Sequence, residues 1–318
     1  MNSASIWIDP TDFGREGADA IVAAVKARGL RELSLAAKSA PKPGEKELAR
    51  AARDAAVKAG LTVNAWVVGS QRGQLGGANC FGDRFSSGLC PSDPAARAAA
   101  VALACEAAAR LEPAALDLEA FGFMGCADPK LDGAHGFLLS FCCCEHCSAR
   151  LAVRKVEMKS LAEKACKLVQ RFRDQGVPAA GAAPLSKPEE IGPWLARELG
   201  GKECAALLSI RREAVVELLQ EIRQRVPKRV KLHAMAHPSP FVTGAAIGGG
   251  LLALDPIVDA FILELFHADA TRMRAEVLSA RTAAKPTTKF FANLRAGGPD
   301  GEGATAVLAA GAVGLRVA

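Results

Sequence analysis

A seven-residue stretch of the chain reads FCCCEHC and contains four cysteines and one histidine. Cys142, Cys144 and Cys147 form a C-x-C-x-x-C pattern, and thiolates at this spacing on a loop can surround one Zn²⁺ ion in tetrahedral geometry. A closed site needs a fourth ligand. Cys90, on the loop before the third predicted helix, is a better candidate than His146, because adjacent residues in a tight loop rarely point at the same ion. Buried thiols without an ion are the alternative, and an iron–sulfur cluster is a third.

Carboxylates within two apolar stretches form a second group of reactive residues. Asp117 and Glu119 alternate with leucines in LDLEAF, and Glu264 lies in ILELFH. Side chains two residues apart on a strand point to the same face, so Asp117 and Glu119 are expected to face the interior. A partly buried carboxyl group has a raised pKa and can protonate a leaving oxygen.

The same carboxylates also have structural interpretations. Asp117 can be the buried partner of Lys38 or of a backbone amide. Glu264 can form a salt bridge inside the fold. Its candidate partners are Lys231, Arg295 and Arg316.

Hydrophobic periodicity divides the chain into alternating strands and helices. The predicted strands cover 5–9, 32–38, 61–69, 114–121, 229–237, 258–266, 288–296 and 314–318. Eight strands with helices between them predict an α/β fold, a (β/α)8 TIM barrel forming one domain over 1–318, in which the eighth outer helix is missing. A zinc-loop insertion at about 122–148 and a helical excursion at about 176–226 interrupt the repeat. A doubly wound open sheet is the alternative, but no G-x-G-x-x-G follows the first strand.

The loops that follow the strands build the site of such a barrel, so polar residues near those ends are the candidate ligand contacts. The predicted substrate-binding residues are Asp9, Asn64, Trp66, His135, His233, Asn293 and Arg295. A second, catalytic metal site is an alternative for His233, His237, His267 and Glu264, but it requires three of these ligands to converge.

Two motifs lie on loops at the same predicted end of the barrel. The first is C-P-x-x-P-x-x-R over 90–97, after strand three, and the second is C-x-C-x-x-C over 142–147, after strand four. Together they resemble the zinc site of glycoside hydrolase family 42 β-galactosidases and of barrels related to them. The resemblance covers about residues 61–150 by motif and the remainder by element order. It implies a carbohydrate substrate and one structural zinc. The ligands that it implies are Cys90, Cys142, Cys144 and Cys147.

The resemblance also implies that Glu119, at the end of strand four, is the acid/base residue. The family places its nucleophile after strand seven, but that strand reads TKFFANLRA and contains no Asp or Glu. Leu118 stands where the family commonly has Asn. Glu264, two strands from Glu119, is the most plausible replacement, with Asp117 and Asp9 as other possible partners. Such a pair suits the carboxyl separation of about 6.5–9.5 Å found in inverting glycosidases.

Three functions remain open from the sequence. The first is a glycoside hydrolase that uses carboxylate acid/base chemistry, and the second is a sugar-binding barrel that has lost its nucleophile. The third is a phosphosugar isomerase or aldolase type of enzyme. For this third function, the glycines of RAGGPDGEGATA would bind phosphate at a helix N-terminus and Lys38 would form a Schiff base.

Composition excludes several other classes of protein. The 318 residues are 50% hydrophobic and carry a net charge of +6, with Lys and Arg mixed among Glu and Asp, so no nucleic-acid partner is expected. The apolar segment 241–254 is too short and glycine-rich to span a bilayer. The first ten residues, MNSASIWIDP, contain neither a basic nor a long apolar region, so we expect no signal peptide. We therefore expect a cytoplasmic protein. A missing outer helix would leave an apolar strip exposed, which would favour a homo-oligomer.

Overall fold

Eight parallel strands close into one barrel in chain order, β1 through β8, with β8 paired back to β1. The structure is a computed structural model. It describes residues 3–13, 17–38, 43–69, 77–84, 88–123, 133–174, 188–236, 250–265, 269–294 and 301–317. The strands are β1 Ser3–Ile8, β2 Glu32–Ala37, β3 Thr62–Val68, β4 Ala115–Glu119, β5 Lys231–Met235, β6 Ala260–Glu264, β7 Phe290–Leu294 and β8 Gly314–Val317. The predicted (β/α)8 barrel is confirmed.

Helices connect the strands around the outside of this barrel. They are α1 Gly17–Ala27, α2 Glu45–Lys58, α3 Pro94–Leu111, α4 Gly133–Leu139, α5 Glu145–Val153, α6 Met158–Asp174, α7 Pro188–Leu199, α8 Gly201–Arg225, α9 Leu251–Leu254, α10 Ala270–Thr282 and α11 Glu302–Ala309, with a 3-10 turn at Pro10–Phe13. β8 is the last element that the structure describes. No helix among the described residues is long and apolar enough to cross a bilayer.

Local signals in the sequence explain where several helices begin. Asp93 precedes α3, and its carboxylate accepts a hydrogen bond from the backbone N–H of Ala95 at 2.8 Å, while Pro94 occupies the first turn. Asp269 caps α10 in the same way through the N–H of Thr271. An aspartate one position before the helix therefore marks the start of both α3 and α10.

The region between β4 and β5 is more helical than the sequence indicates. The segment 122–148, predicted to be a zinc-loop insertion, contains α4 and the first turn of α5, and the helical chain after it is divided into α5 and α6. The division lies at Lys155, whose φ of 55° places it in the left-handed region and ends α5. The predicted excursion contains α7 as well as α8.

The two faces of the strands differ sharply in polarity. Residues pointing outward, beneath the helices, are apolar and buried, for example Leu33, Leu116 and Phe261. The buried polar side chains of the strands belong to the opposite set of positions. They are Ser5, Ser34, Asn64, Asp117, His233, Asn293 and Arg316. The interior of the barrel is therefore polar, whereas many TIM barrels fill it with branched aliphatic residues.

Candidate active site and thiol cluster

Asp117 lies at the centre of a hydrogen-bonded group inside the barrel, which we call the floor network: Ser5, Ser34, Asp117, His233 and Arg316. The Ser34 hydroxyl donates to Asp117 Oδ2 at 2.6 Å, and His233 Nδ1 lies 2.8 Å from Asp117 Oδ1. Arg316 Nε lies 3.3 Å from Oδ2 as an ion pair without hydrogen-bond geometry. Ser5 Oγ lies 3.0 Å from Ser34 Oγ. Side chains from β2, β5 and β8 thus contact the carboxylate of β4, and β1 adds Ser5 behind Ser34.

The floor network determines the charge of Asp117. Complete burial opposes ionisation, but the positive charge of Arg316 and the hydrogen bonds from His233 and Ser34 outweigh it, so the pKa of Asp117 is lowered. The guanidinium of Arg316 also lies 4.0 Å above the ring of Phe291. Lys38, one of the two partners considered for Asp117, instead pairs with Asp9 at 2.7 Å. Asp117 is therefore an ionised residue whose partners are all supplied by the barrel itself.

Glu119 occupies the next inward position on β4, nearer the carboxyl end of the strand. Its Oε2 accepts a hydrogen bond of 2.5 Å from Trp66 Nε1, and Trp66 stacks on Trp7 with ring centroids 4.7 Å apart. Burial raises the pKa of Glu119, and the Trp66 hydrogen bond opposes that rise. Two tryptophans from β1 and β3 therefore position this carboxyl group.

The backbone at this end of β4 is closely packed against β3. Gly69 donates its N–H to the carbonyl of Glu119 at 2.8 Å, and a side chain at Gly69 would lie 2.9 Å from the carbonyl oxygen of Ala120. Ala120 has a φ of 57°, so the chain turns sharply directly after Glu119. A left-handed alanine is a strained feature of the kind that clusters at functional sites.

Glu264 ends β6, in register with Asn293 on β7. Burial and the nearby charge of Glu119 raise the pKa of Glu264 to about 7. We call Glu119 and Glu264 the mouth pair. Among the described residues, Glu264 has no ion pair, so the salt bridge considered for it with Lys231 or Arg316 is not formed there. Arg295, the third candidate partner, lies outside the described residues.

Two asparagines inside the barrel have unused hydrogen-bonding groups. Asn293 is fully buried, and neither its amide nitrogen nor its amide oxygen has a partner in the described structure. The amide nitrogen of Asn64, on β3, also lacks one. Buried amides of this kind are normally satisfied by protein, water or ligand, so these two side chains are suited to a polar ligand.

The other predicted substrate contacts lie in several places. Asp9 is at the end of β1, in the ion pair with Lys38. The ring of His135 stacks on Phe172 at 5.2 Å, between α4 and α6, and its predicted contact with a substrate remains a prediction. His237 and His267, needed for the alternative catalytic metal site, lie outside the described residues, as does Arg295.

The thiols of Cys90, Cys142, Cys144 and Cys147 form one compact cluster. Their sulfur atoms all lie within 4.8 Å of one another, and Cys90 Sγ is 3.6 Å from each of the other three. Four sulfurs placed ~2.3 Å from a central Zn²⁺ at tetrahedral corners would be ~3.8 Å apart. The donor set and its spacing therefore fit a metal ion. His146 lies outside the cluster, with Nε2 3.6 Å from Asp93.

Backbone contacts bring the two cysteine-bearing loops together. Leu89 and Phe123 form an isolated parallel bridge, and the N–H of Cys143 donates to the carbonyl of Ala78 at 2.6 Å. Gly77 passes so close that a side chain there would lie 1.9 Å from Cys142 Sγ. The loops after β3 and β4 are therefore joined at the cluster, next to the strand that carries Glu119.

A buried arginine accompanies the thiol cluster. Arg211, on α8, is 3% exposed, donates to the carbonyl of Ser140 at 3.1 Å and lies 4.6 Å above the ring of Phe123. Burial lowers its pKa to about 10, and the thiols of Cys147, Cys142 and Cys90 oppose that shift. No carboxylate pairs with Arg211 in the described structure. A metal with four thiolates carries a net negative charge, which would balance this cation.

Several solved structures have a barrel similar to that of this chain. The barrel resembles that of an exo-beta-agarase. The TM-score is 0.51 at 10% identity, over 94% of this chain and 40% of that one. An agarase matches with a TM-score of 0.49 at 12% identity, over 96% of this chain and 42% of that one. The spore cortex-lytic enzyme SleL of Bacillus cereus matches with a TM-score of 0.45 at 10% identity, over 92% of this chain and 52% of that one. This chain thus spans about half, or less, of those proteins.

Likeness at this level of identity shows the barrel and nothing finer. No protein-family model matches the chain, and no curated protein matches it by sequence. The specific resemblance to family 42 β-galactosidases therefore remains a prediction that rests on the two cysteine motifs.

Sequence reasoning did not foresee three residues that shape these sites. Ser34 is a small polar residue in an apolar strand. Arg211 lies in a helix whose other arginines are at least partly exposed to solvent, so its sequence context does not distinguish it from them. Arg316 was considered only as a partner of Glu264. A charged residue flanked by apolar neighbours, as in GLRV, was the available signal for Arg316.

Proposed function

We propose that this chain is a carbohydrate-active barrel in which the mouth pair performs carboxylate acid/base chemistry on a glycosidic bond. The observation that carries the proposal is the pair itself: two largely buried, electrostatically coupled carboxyl groups at the carboxyl ends of β4 and β6. Glycoside hydrolysis commonly needs one carboxyl group that can give a proton and another that is charged. Asp117 is assigned to the scaffold, because its charge is already neutralised.

The polar interior suits a carbohydrate substrate. Asn64 and Asn293 offer unused amide groups to hydroxyl groups, and Trp66 provides an aromatic surface beside Glu119. Asp9, His135, His233 and Arg295 complete the proposed set of substrate contacts. The likeness to the agarase barrel supports the architecture and leaves the substrate to be tested.

Replacement of the mouth pair tests the proposed activity. Glu119→Gln and Glu264→Gln should each lower turnover of an active aryl glycoside by at least about 100-fold, with the circular dichroism spectrum unchanged. Glu106→Gln is the control, because this exposed glutamate lies on α3, outside the barrel, where it pairs with Lys46 and Arg110. Full activity in either mouth variant would reject the assignment. Sugar binding by calorimetry without hydrolysis over a wide glycoside panel would identify a sugar-binding barrel.

The phosphosugar isomerase or aldolase alternative receives no support from Lys38. A Schiff-base lysine has to be neutral and desolvated, whereas the Lys38 side chain is 41% exposed and lies 2.7 Å from the Asp9 carboxylate. The glycine-rich segment 295–306, proposed to bind phosphate, is described only from Gly301 on, where α11 begins at Glu302.

We also propose that the thiol cluster binds one structural Zn²⁺ through Cys90, Cys142, Cys144 and Cys147. The ion would hold the loops after β3 and β4 together and thereby support the mouth of the barrel. Metal analysis of the purified protein should find about one zinc per chain. Cys142→Ser should lose it, and Cys105→Ser, on α3 outside the cluster, should retain it. Zinc retained in Cys142→Ser would contradict the proposed ligand set.

A further inference from the structure

The two carboxyl groups of the mouth pair have different hydrogen-bond surroundings. Glu119 Oε2 accepts the indole N–H of Trp66 at 2.5 Å, and an indole nitrogen can only donate. A donor aimed at a carboxyl oxygen favours the ionised form. The stack of Trp7 on Trp66, at 4.7 Å and 20° between ring planes, restricts the indole to this orientation. The charge of Glu119 is therefore stabilised by a preorganised donor.

Glu264 has no comparable support. In the described residues, neither a hydrogen-bond donor nor a cation contacts its carboxyl group. Its register neighbour on β7, Asn293, makes no hydrogen bond to it. Glu264 is largely buried and faces the charge of Glu119. Ionising a second carboxyl group there, without a donor, would be unfavourable.

Other titratable groups inside the barrel do not change this contrast. Asp117 on β4, His233 on β5 and Arg316 on β8 are engaged with one another in the floor network. Lys231 is at the opposite end of β5, where it is exposed. Within the described residues, the mouth pair therefore has one donor for two carboxyl groups.

We propose that Glu264 carries the proton and Glu119 the negative charge in the resting site, with Trp66 as the positioning residue that fixes this division. This assignment is the reverse of the one implied by the family resemblance, which gives the proton to Glu119. Its chemical consequence rests on the proposed function. Glu264 is then the general acid, and Glu119 is the general base.

The reaction balances with these roles. The O–H bond of Glu264 breaks as its proton moves to the glycosidic oxygen, and the bond from that oxygen to the anomeric carbon breaks with its electron pair going to the oxygen. Glu119 takes a proton from the water whose oxygen bonds to the anomeric carbon. β5 separates β4 from β6, which leaves more room for a water than neighbouring strands would. Proton exchange with solvent then restores Glu264–H and ionised Glu119.

Carboxyl titration tests this division directly and needs no substrate. Protein labelled with ¹³C at the glutamate side-chain carboxyl would be titrated by NMR, and the two resonances assigned as those missing from Glu119→Gln and Glu264→Gln. We expect the Glu264 resonance to titrate near neutral pH and the Glu119 resonance at lower pH. The reverse order would overturn the proposal.

Two tryptophan variants separate the indole N–H from the aromatic ring. Trp66→Phe keeps a ring for Trp7 but removes the donor, so the Glu119 resonance should titrate at higher pH and that of Glu264 at lower pH. Trp7→Phe keeps the donor, and its effect on both titrations should be smaller. Equal titrations in Trp66→Phe and in the unmodified protein would reject the role of Trp66, and the glutamine variants decide the proton assignment even if Trp66→Phe does not fold.

The two proposals fail in different ways. The expected titration order without hydrolysis of any glycoside would reject the proposed function and leave the division of charge intact. Hydrolysis that depends on both glutamates, combined with the reverse titration order, would support the proposed function and reject the proposed division of charge.

Discussion

Asp117 and Glu119 lie two residues apart on β4 and face the same interior, yet their surroundings are opposite. Asp117 contacts a serine, a histidine and an arginine, and its pKa is lowered. Glu119 contacts one tryptophan N–H, faces Glu264, and its pKa is raised. One strand therefore carries a carboxylate that the fold has fully satisfied and another that it has left available. The first is expected to matter for stability and the second for chemistry.

The largest effect should come from breaking the floor network. Asp117→Asn removes the nearer of the two carboxylates that face the buried Arg316, the other being Glu32 at 3.8 Å, so the free energy of unfolding should fall by about 3–5 kcal/mol. Urea denaturation followed by circular dichroism measures this change. A loss below about 1 kcal/mol would mean that Asp117 is not the counterion of Arg316, and the contrast with Glu119 would disappear.

Replacement of Glu264 should raise the free energy of unfolding rather than lower it. The folded pKa of about 7 lies above the ordinary value of 4.5, so ionisation destabilises the folded state as pH rises between these values. Glu264→Gln removes this cost and should stabilise the protein by up to about 3 kcal/mol above pH 7, and by little near pH 4.5. Denaturation at several pH values shows the slope.

The same measurement on Glu264→Gln in a Glu119→Gln background isolates the effect of the Glu119 charge. In Glu119→Gln the neighbouring negative charge is absent, so the pH dependence contributed by Glu264 should become smaller. Destabilisation by Glu264→Gln at every pH would show that Glu264 is a structural residue.

The two buried arginines extend the comparison. Arg316 has a carboxylate partner, and Arg211 has none among the described residues but lies beside the thiol cluster. If the cluster holds zinc as an anionic tetrathiolate, Arg211→Met should weaken zinc binding by about 10- to 100-fold, as loss of an outer-shell partner commonly does. Competition with a chromophoric chelator measures the affinity.

Arg212→Met provides the matched control, because the neighbouring side chain is exposed. Equal zinc affinity in both variants would contradict a counterion role for Arg211.

The sequence was sufficient for the architecture because its signals are local. Alternation in LDLEAF predicts that Asp117 and Glu119 share a face, and Asp93 with Pro94 predicts the start of α3. The spacing of the cysteines anticipated a cluster that the structure brings together. Each of these depends on a few neighbouring residues.

The partners of the carboxylates were beyond the reach of such signals. Arg316 reaches Asp117 only because β8 pairs with β1 and closes the barrel, and the segments involved are 199 positions apart. Lys38, one of the two partners considered for Asp117 from the sequence, pairs with Asp9 instead. Strand register around the whole barrel decides which basic side chain pairs with which carboxylate. A local sequence pattern holds no information on that register.

The smallest expected effect concerns Asn293, which lies beside the mouth pair on β7. In the described structure its buried amide has two unpaired groups, so Asn293→Val removes a desolvation cost and should raise the free energy of unfolding by about 1 kcal/mol. The same variant should bind sugar more weakly in calorimetry. Asn64 has one unpaired amide group among the described residues. Asn64→Val should therefore raise the free energy of unfolding less than Asn293→Val does. Loss of stability in Asn293→Val would show that the amide is satisfied within the folded protein, and the available groups of the interior would then be confined to the mouth pair.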